Sequence, residues 1–208
     1  MFPLIFDLFE RGGIMMYPLL LCSVLVLTLT IERVLVLRRQ SLLPKSALER
    51  WRSWLGQGVP VPLPPSSPAL LDQLLLPILP YFPIPLSRLE ERFSDLSRKA
   101  KNRLERGVVY LDTIAGVAPL LGLLGTALGM VEVFAKLSLG GQTKIEALSG
   151  GISQALLTTV AGLVVGIPAL IAANLFTRQI ENLLLSAEDQ VNGLLDQYFD
   201  QMIDHETR

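Results

Sequence analysis

The stretch TIAGVAPLLGLLGTALGMV, Thr113 to Val131, holds nineteen residues without a charge between Asp112 and Glu132. As a helix rising about 1.5 Å per residue it covers roughly 28 Å, close to the ~30 Å hydrocarbon thickness of a bilayer. A longer run of the same kind follows. Ala147 to Thr177 gives thirty-one uncharged residues, enough for a crossing and an interfacial turn at each end. Upstream, Gly12 to Ile31 adds twenty more, with apolar character resuming through Leu37. Three membrane-spanning helices are therefore predicted. Composition agrees, since half of the 208 residues are hydrophobic and only 18% are charged, far from the balance of a soluble domain. Acidic Asp7 and Glu10 before the first span, and arginines after it, speak against a cleaved leader.

Eighteen basic and nineteen acidic residues leave a net charge of −1, which offers neither a nucleic-acid surface nor a uniformly basic membrane-binding face. Their distribution is more telling. Thirteen of the eighteen basic residues lie between Arg33 and Arg106, which predicts a cytoplasmic connection between spans one and two. The N-terminal segment, with Arg11, and the link carrying Lys136 and Lys144 then face the other side, and the C-terminus returns to the cytoplasm. Single Cys22 in an apolar run and single His205 in the polar tail provide neither an intrachain disulfide nor a metal-ligand set. With no nucleophile–base pair or phosphate loop either, the sequence does not read as an enzyme, and no cofactor is expected.

The predicted layout is an N-terminal segment and first span over 1–40, a cytoplasmic loop and amphipathic helix over 41–106, a second span over 107–137, a periplasmic link over 138–146, a third span over 147–177 and a cytoplasmic C-terminal helix over 178–208. Within the connection, GQGVPVPLPPSSP at 56–68 is too rich in proline and glycine for a helix or central strand, and Pro77, Pro80, Pro83 and Pro85 keep the next stretch broken. From Leu86 onward Leu89, Phe93, Leu96, Ala100 and Leu104 recur every three or four residues, as on an amphipathic helix running straight into span two. The tail repeats the pattern with Ile180, Leu183, Leu184, Ala187, Val191, Leu194, Leu195, Tyr198 and Met202. The two stripes are expected to pack on each other, basic helix beside acidic helix.

Small residues line one face of each of the later spans. Ala115, Ala118, Gly122, Gly125 and Gly129 do so in span two, and Gly151, Ala155, Thr158, Gly162, Gly166, Ala169 and Ala173 in span three, so close helix packing is expected. Pro119 and Pro168 each remove a backbone donor, a loss tolerated where protein or water satisfies the freed carbonyl. Polar residues at depth are Thr113, Thr126, Gln154, Thr158, Thr159 and Asn174. A membrane threonine commonly bonds the carbonyl four residues back, but the amide of Gln154 cannot be satisfied that way and needs a partner or a water-lined cavity. Asp112 and Glu132 are expected at the interfaces.

VAPLLGLLGTALGM at 117–130, followed by GISQALLTTVAGLVVGIPALIAAN at 151–174, closely resembles the paired signature of the MotA/TolQ/ExbB proton-channel family. RGGIMMYPLLLCSVLVLTLTIERVLVL resembles the first span of its short ExbB members, and three spans rather than four favour the ExbB/TolQ branch. The resemblance implies an all-α integral membrane protein with long cytoplasmic helical extensions, assembled as a pentameric ring. Spans two and three would line a lumen holding a dimer of a single-span ExbD/TolR-like partner, whose aspartate carries protons. It further implies a bacterial inner-membrane motor, driven by the proton-motive force, that energises a TonB-like protein for outer-membrane import. A TolQ-like role in envelope maintenance is the alternative.

Matched by motif, Thr126 and Thr159 are the pore threonines and Asn174 the polar residue after the proline of span three. Gln154 and Thr158 complete the candidate proton pathway, and Gly122, Gly125, Gly129, Gly162, Gly166, Pro119 and Pro168 the helix packing. Gln154 stands where many members carry a glutamate. A lumen of glycine, alanine and threonine does not titrate near neutrality, so the titratable group has to come from a second protein. A polytopic transporter would place charged or aromatic ligands at the midplane, and a passive scaffold leaves the aligned threonines unexplained.

Overall fold

The computed structural model describes residues 12–38, 42–57, 69–78, 86–138 and 144–206. Among them are five helices: α1 (Met16–Val36), α2 (Lys45–Gln57), α3 (Leu70–Leu75), α4 (Leu86–Ser138) and α5 (Lys144–Glu206). The proline-rich runs at 58–68 and 79–85 and the 139–143 link lie outside the described residues, as do the side chains of Leu89, Tyr198 and Met202. Among the described residues, all regular structure is helical. Three stretches are long and apolar enough to cross a membrane: Met16–Val36, Glu91–Ala135 and Ser149–Asp196.

The amphipathic run from Leu86 and span two form one helix of 53 residues, about 80 Å long. Span three and the tail form another of 63 residues, about 95 Å. The chain divides into two compact units, Met1–Glu32 with Gly107–Leu175 and Arg33–Arg106 with Phe176–Arg208. In the first unit α4 and α5 run antiparallel along a seam of small residues. A Cβ added at Gly166 would lie 2.8 Å from the Pro119 ring, one at Gly162 2.6 Å from the Ala118 carbonyl, and one at Gly125 2.6 Å from Thr158 Oγ1. Ala115, Ala118, Ala155, Ala169 and Ala173 are buried along the same seam. Leu120, Leu123, Leu156, Val160, Val164 and Ile171 are more than half exposed, an apolar surface suited to lipid or another chain rather than water.

The second unit has a core of its own. Leu37, Leu70, Leu71, Leu74, Ile78, Ile180, Val191 and Leu194 are almost wholly buried. Hydrophobic burial at about 25 cal/mol per Å² makes such a leucine-rich cluster its main stabilising element. Helices α2 and α3 were not expected from the sequence. They are joined by Asp72, which is 1% exposed and accepts hydrogen bonds from Trp51 Nε1 (2.7 Å) and Arg50 Nη2 (3.1 Å). Two more side chains reach backbone carbonyls far away in sequence. Arg33 Nη1 donates to Leu104 O at 3.0 Å, and Gln179 Nε2 to Leu37 O at 2.9 Å.

Candidate functional site

Because glycine at 122 lets α4 and α5 approach closely, polar side chains on the two helices can meet at membrane depth. A Cβ at Gly122 would lie 2.9 Å from the Thr158 carbonyl and 3.1 Å from Thr159 Cα. There the hydroxyls of Thr126 and Thr159 hydrogen-bond to each other. Thr126 Oγ1 is also within reach of Ala155 O (3.1 Å) and Gly122 O (3.3 Å), and Thr159 Oγ1 of Gly122 O (3.3 Å). Four oxygens thus share two hydroxyl protons. Lone pairs outnumber donors, so the cluster is a net acceptor of hydrogen bonds. Both threonines remain partly exposed, which leaves it approachable.

Neighbouring residues are placed differently. Thr158 is 1% exposed, packed against Gly125, and its hydroxyl donates to Ala155 O at 2.8 Å. Thr113 bonds its own helix at Val109 O. Asn174 and Pro168 are exposed on α5, and Asp112 and Glu132 are exposed near the ends of span two. Pro119 is half-buried, and the Ala115 carbonyl that it deprives of a donor faces Gly166, 3.2 Å from where a Cβ would sit. Among the described residues, no three metal-ligating side chains converge.

Gln154 is half-buried against Gly13, in the turn that opens α1. Gly13 has φ +70°, the left-handed region that favours glycine, and its carbonyl accepts from Met16 N at 3.1 Å. A Cβ there would collide with the Gln154 amide. Sequence reasoning missed this contact, although the Gly12–Gly13 doublet at the start of the first uncharged window was a visible signal. Gly13→Ala should therefore destabilise the protein by about 1–2 kcal/mol through its backbone alone, and more through the collision. In thermal unfolding in detergent, the same change should cost less when Gln154 is already alanine. Equal losses in both backgrounds would show that the amide does not press on this turn.

Residues 87–189, which contain the threonine cluster and the whole glycine seam, match the MotA/TolQ/ExbB proton channel family. The ExbB-like 3 protein of Synechocystis sp. is 35% identical over 171 residues, 79% of this chain and 81% of that one. The chain belongs to the MotA/TolQ/ExbB proton channel family. Another relative from the same organism, ExbB-like 1, is 33% identical over 176 residues, covering 81% of this chain and 69% of its own length. The biopolymer transport protein ExbB of Salmonella typhimurium is 39% identical over 93 residues, 45% of this chain and 36% of that protein. The two threonines form a polar cluster in spans that carry no titratable side chain from Thr113 to Val131 or from Ala147 to Thr177.

Proposed function

We propose that this chain is an ExbB-like subunit of a proton-driven motor in the bacterial inner membrane. Five copies form a ring around a pair of single-span, ExbD-like partner helices, and the work reaches a TonB-like protein. The N-terminus lies in the periplasm and the C-terminus in the cytoplasm, as the basic connection between spans one and two requires. The observation that carries this reading is the Thr126–Thr159 cluster in an otherwise uncharged pair of spans. Such a cluster can pass a proton carrier but cannot be one.

The chemistry follows from the oxygen count. A protonated carboxyl arriving on the partner donates its hydrogen to the spare lone pairs, while both threonine protons stay within the chain. Once the acid loses its proton, the carboxylate only accepts. One hydroxyl must then rotate, exchanging its bond to Gly122 O or Ala155 O for a charge-assisted bond outward. The cluster therefore takes a different arrangement for each protonation state. Each proton crossing the membrane supplies about 2.3 kcal/mol per 100 mV, enough to bias such a step. Gln154, held against Gly13, and Thr158, buried in the seam, serve packing, and exposed Asn174 is available to a neighbouring chain.

Co-expression with a short, single-span protein carrying an intramembrane aspartate tests the assembly. Native mass measurement should give five copies of this chain with two of the partner. A chain that purifies as a single copy, or never retains the partner, would refute the ring.

A further inference from the structure

In the second unit, α4 and α5 leave exposed faces of opposite net charge. On α4 the buried side carries Ser97, Ala100 and Leu104. At about 100° per residue, Arg88, Arg92, Lys99, Arg103 and Arg106 fall within roughly 40° of one line on the opposite side, all five exposed, with Asp95 the one acidic residue on that strip. On α5 the buried side carries Ile180, Leu183, Leu184, Ala187, Val191 and Leu194. Its exposed side carries Glu181, Asp189 and Asp196, with Arg178 on the same side at the end nearest the span. Residues 86–106 hold seven basic and four acidic side chains, and residues 178–206 one basic and seven acidic, so the segments carry net charges of +3 and −6.

Among the described residues, several charges of these faces have no ion-pair partner within one copy. Arg98 pairs with Asp95, Lys101 with Glu105, and Arg103 donates to Gln73. Among the described residues, Arg88, Lys99, Arg106, Glu181, Asp189 and Asp196 make no ion pair. Leu185, 57% exposed, sits in the middle of the acidic side, where a solvated face would favour a polar residue. The faces are also level with each other. One cavity between the antiparallel helices is lined by α4 from Phe93 to Lys101 and by α5 from Leu184 to Asn192, which sets Ser97 beside Glu188. Counting outward from that pair, Arg88 lies within about one residue of the level of Asp196, and Lys99 within one turn of Asp189.

We infer that the basic face of α4 in one copy docks on the acidic face of α5 in the next, a head-to-tail charge seam around the cytoplasmic part of the ring. This rests on the ring proposed above. Rotation about the membrane normal keeps each residue at its own level, so charges matched in height meet in a contact between two different faces, and that contact closes on itself. The seam contributes order and register, and it weakens with salt because exposed charges are screened beyond about 8 Å at physiological ionic strength.

The full chain, with Cys22→Ala removing its one cysteine, carries Arg92→Cys and Gly193→Cys, two exposed positions at one level on the two faces. Mild oxidation in detergent should give a ladder of linked copies on a denaturing gel. Arg88→Glu with Lys99→Glu should reduce the ladder at least fivefold, Asp189→Lys with Asp196→Lys should do the same, and all four changes together should restore it. Neutral Arg88→Gln with Lys99→Gln should fall between. A ladder indifferent to either reversal, or not rescued by the combination, overturns the seam. Native mass of the unmodified chain separates the two levels of failure, since a single copy there sinks the ring itself.

Discussion

Gly162→Leu is expected to yield no assembled protein, and even Gly162→Ala should destabilise it by about 1–3 kcal/mol, the usual cost of overpacking. The first atom added at 162 would lie 2.6 Å from Ala118 O, with the backbone of Gly122 next at 3.1 and 3.2 Å. These are main-chain atoms of a continuous helix and cannot swing aside. The helices would have to separate, breaking the approach that brings Thr126 to Thr159. Gly150 makes the opposite case. A Cβ there meets nothing within 4 Å, so Gly150→Ala should leave folding intact or improve it by about 0.5–1 kcal/mol through helix propensity. Thermal unfolding in detergent compares the two. Equal effects would mean that the seam between α4 and α5 is not close-packed.

Replacing both Thr126 and Thr159 by valine should lower proton-coupled work at least tenfold while the complex still assembles. Valine keeps the branched shape but removes both hydroxyls, leaving only backbone carbonyls that their own helices already use. The partner acid would then lose its acceptors when protonated and its donors when charged, a penalty of about 1–3 kcal/mol for each unmet group. Thr126→Ser with Thr159→Ser retains the oxygens and should stay near the original activity. Thr158→Val serves as the internal control. Its hydroxyl is committed to Ala155 O and is sealed from any lumen, so its loss should touch stability rather than proton coupling. Proton-driven transport in cells, set against the amount of purified complex, distinguishes these outcomes.

The spans and their helical extensions were legible because both rest on local, repeated signals. Charge-free windows mark hydrocarbon thickness, and the three-to-four spacing of Phe93, Leu96, Ala100 and Leu104 continues in phase into span two. Helix α2 was missed although Ala47, Leu48, Trp51, Trp54 and Leu55 recur at helical spacing, because the proline-rich run beside it dominates the reading. Asp72 looks like any surface carboxylate in sequence. Only the fold shows that Trp51 and Arg50 bury it. The threonines illustrate the same divide. Thr158 and Thr159 are adjacent and chemically identical, yet about 100° of helix rotation puts one inside the seam and the other against Thr126, thirty-three residues away. Periodicity fixes which residues share a face; the register between two helices comes from how deeply the glycines let them sink together.

That the titratable carrier belongs to another protein is tested most directly by proton flux into liposomes under an imposed membrane potential. This chain reconstituted alone should give no sustained flux above empty vesicles, because Thr113–Val131 and Ala147–Thr177 contain no group that titrates near neutrality. Adding the single-span partner should open a flux that disappears when the partner's intramembrane aspartate becomes asparagine. A sustained flux through this chain alone, equal to that of the complex, would contradict a carrier on the partner and place the proton path within these helices.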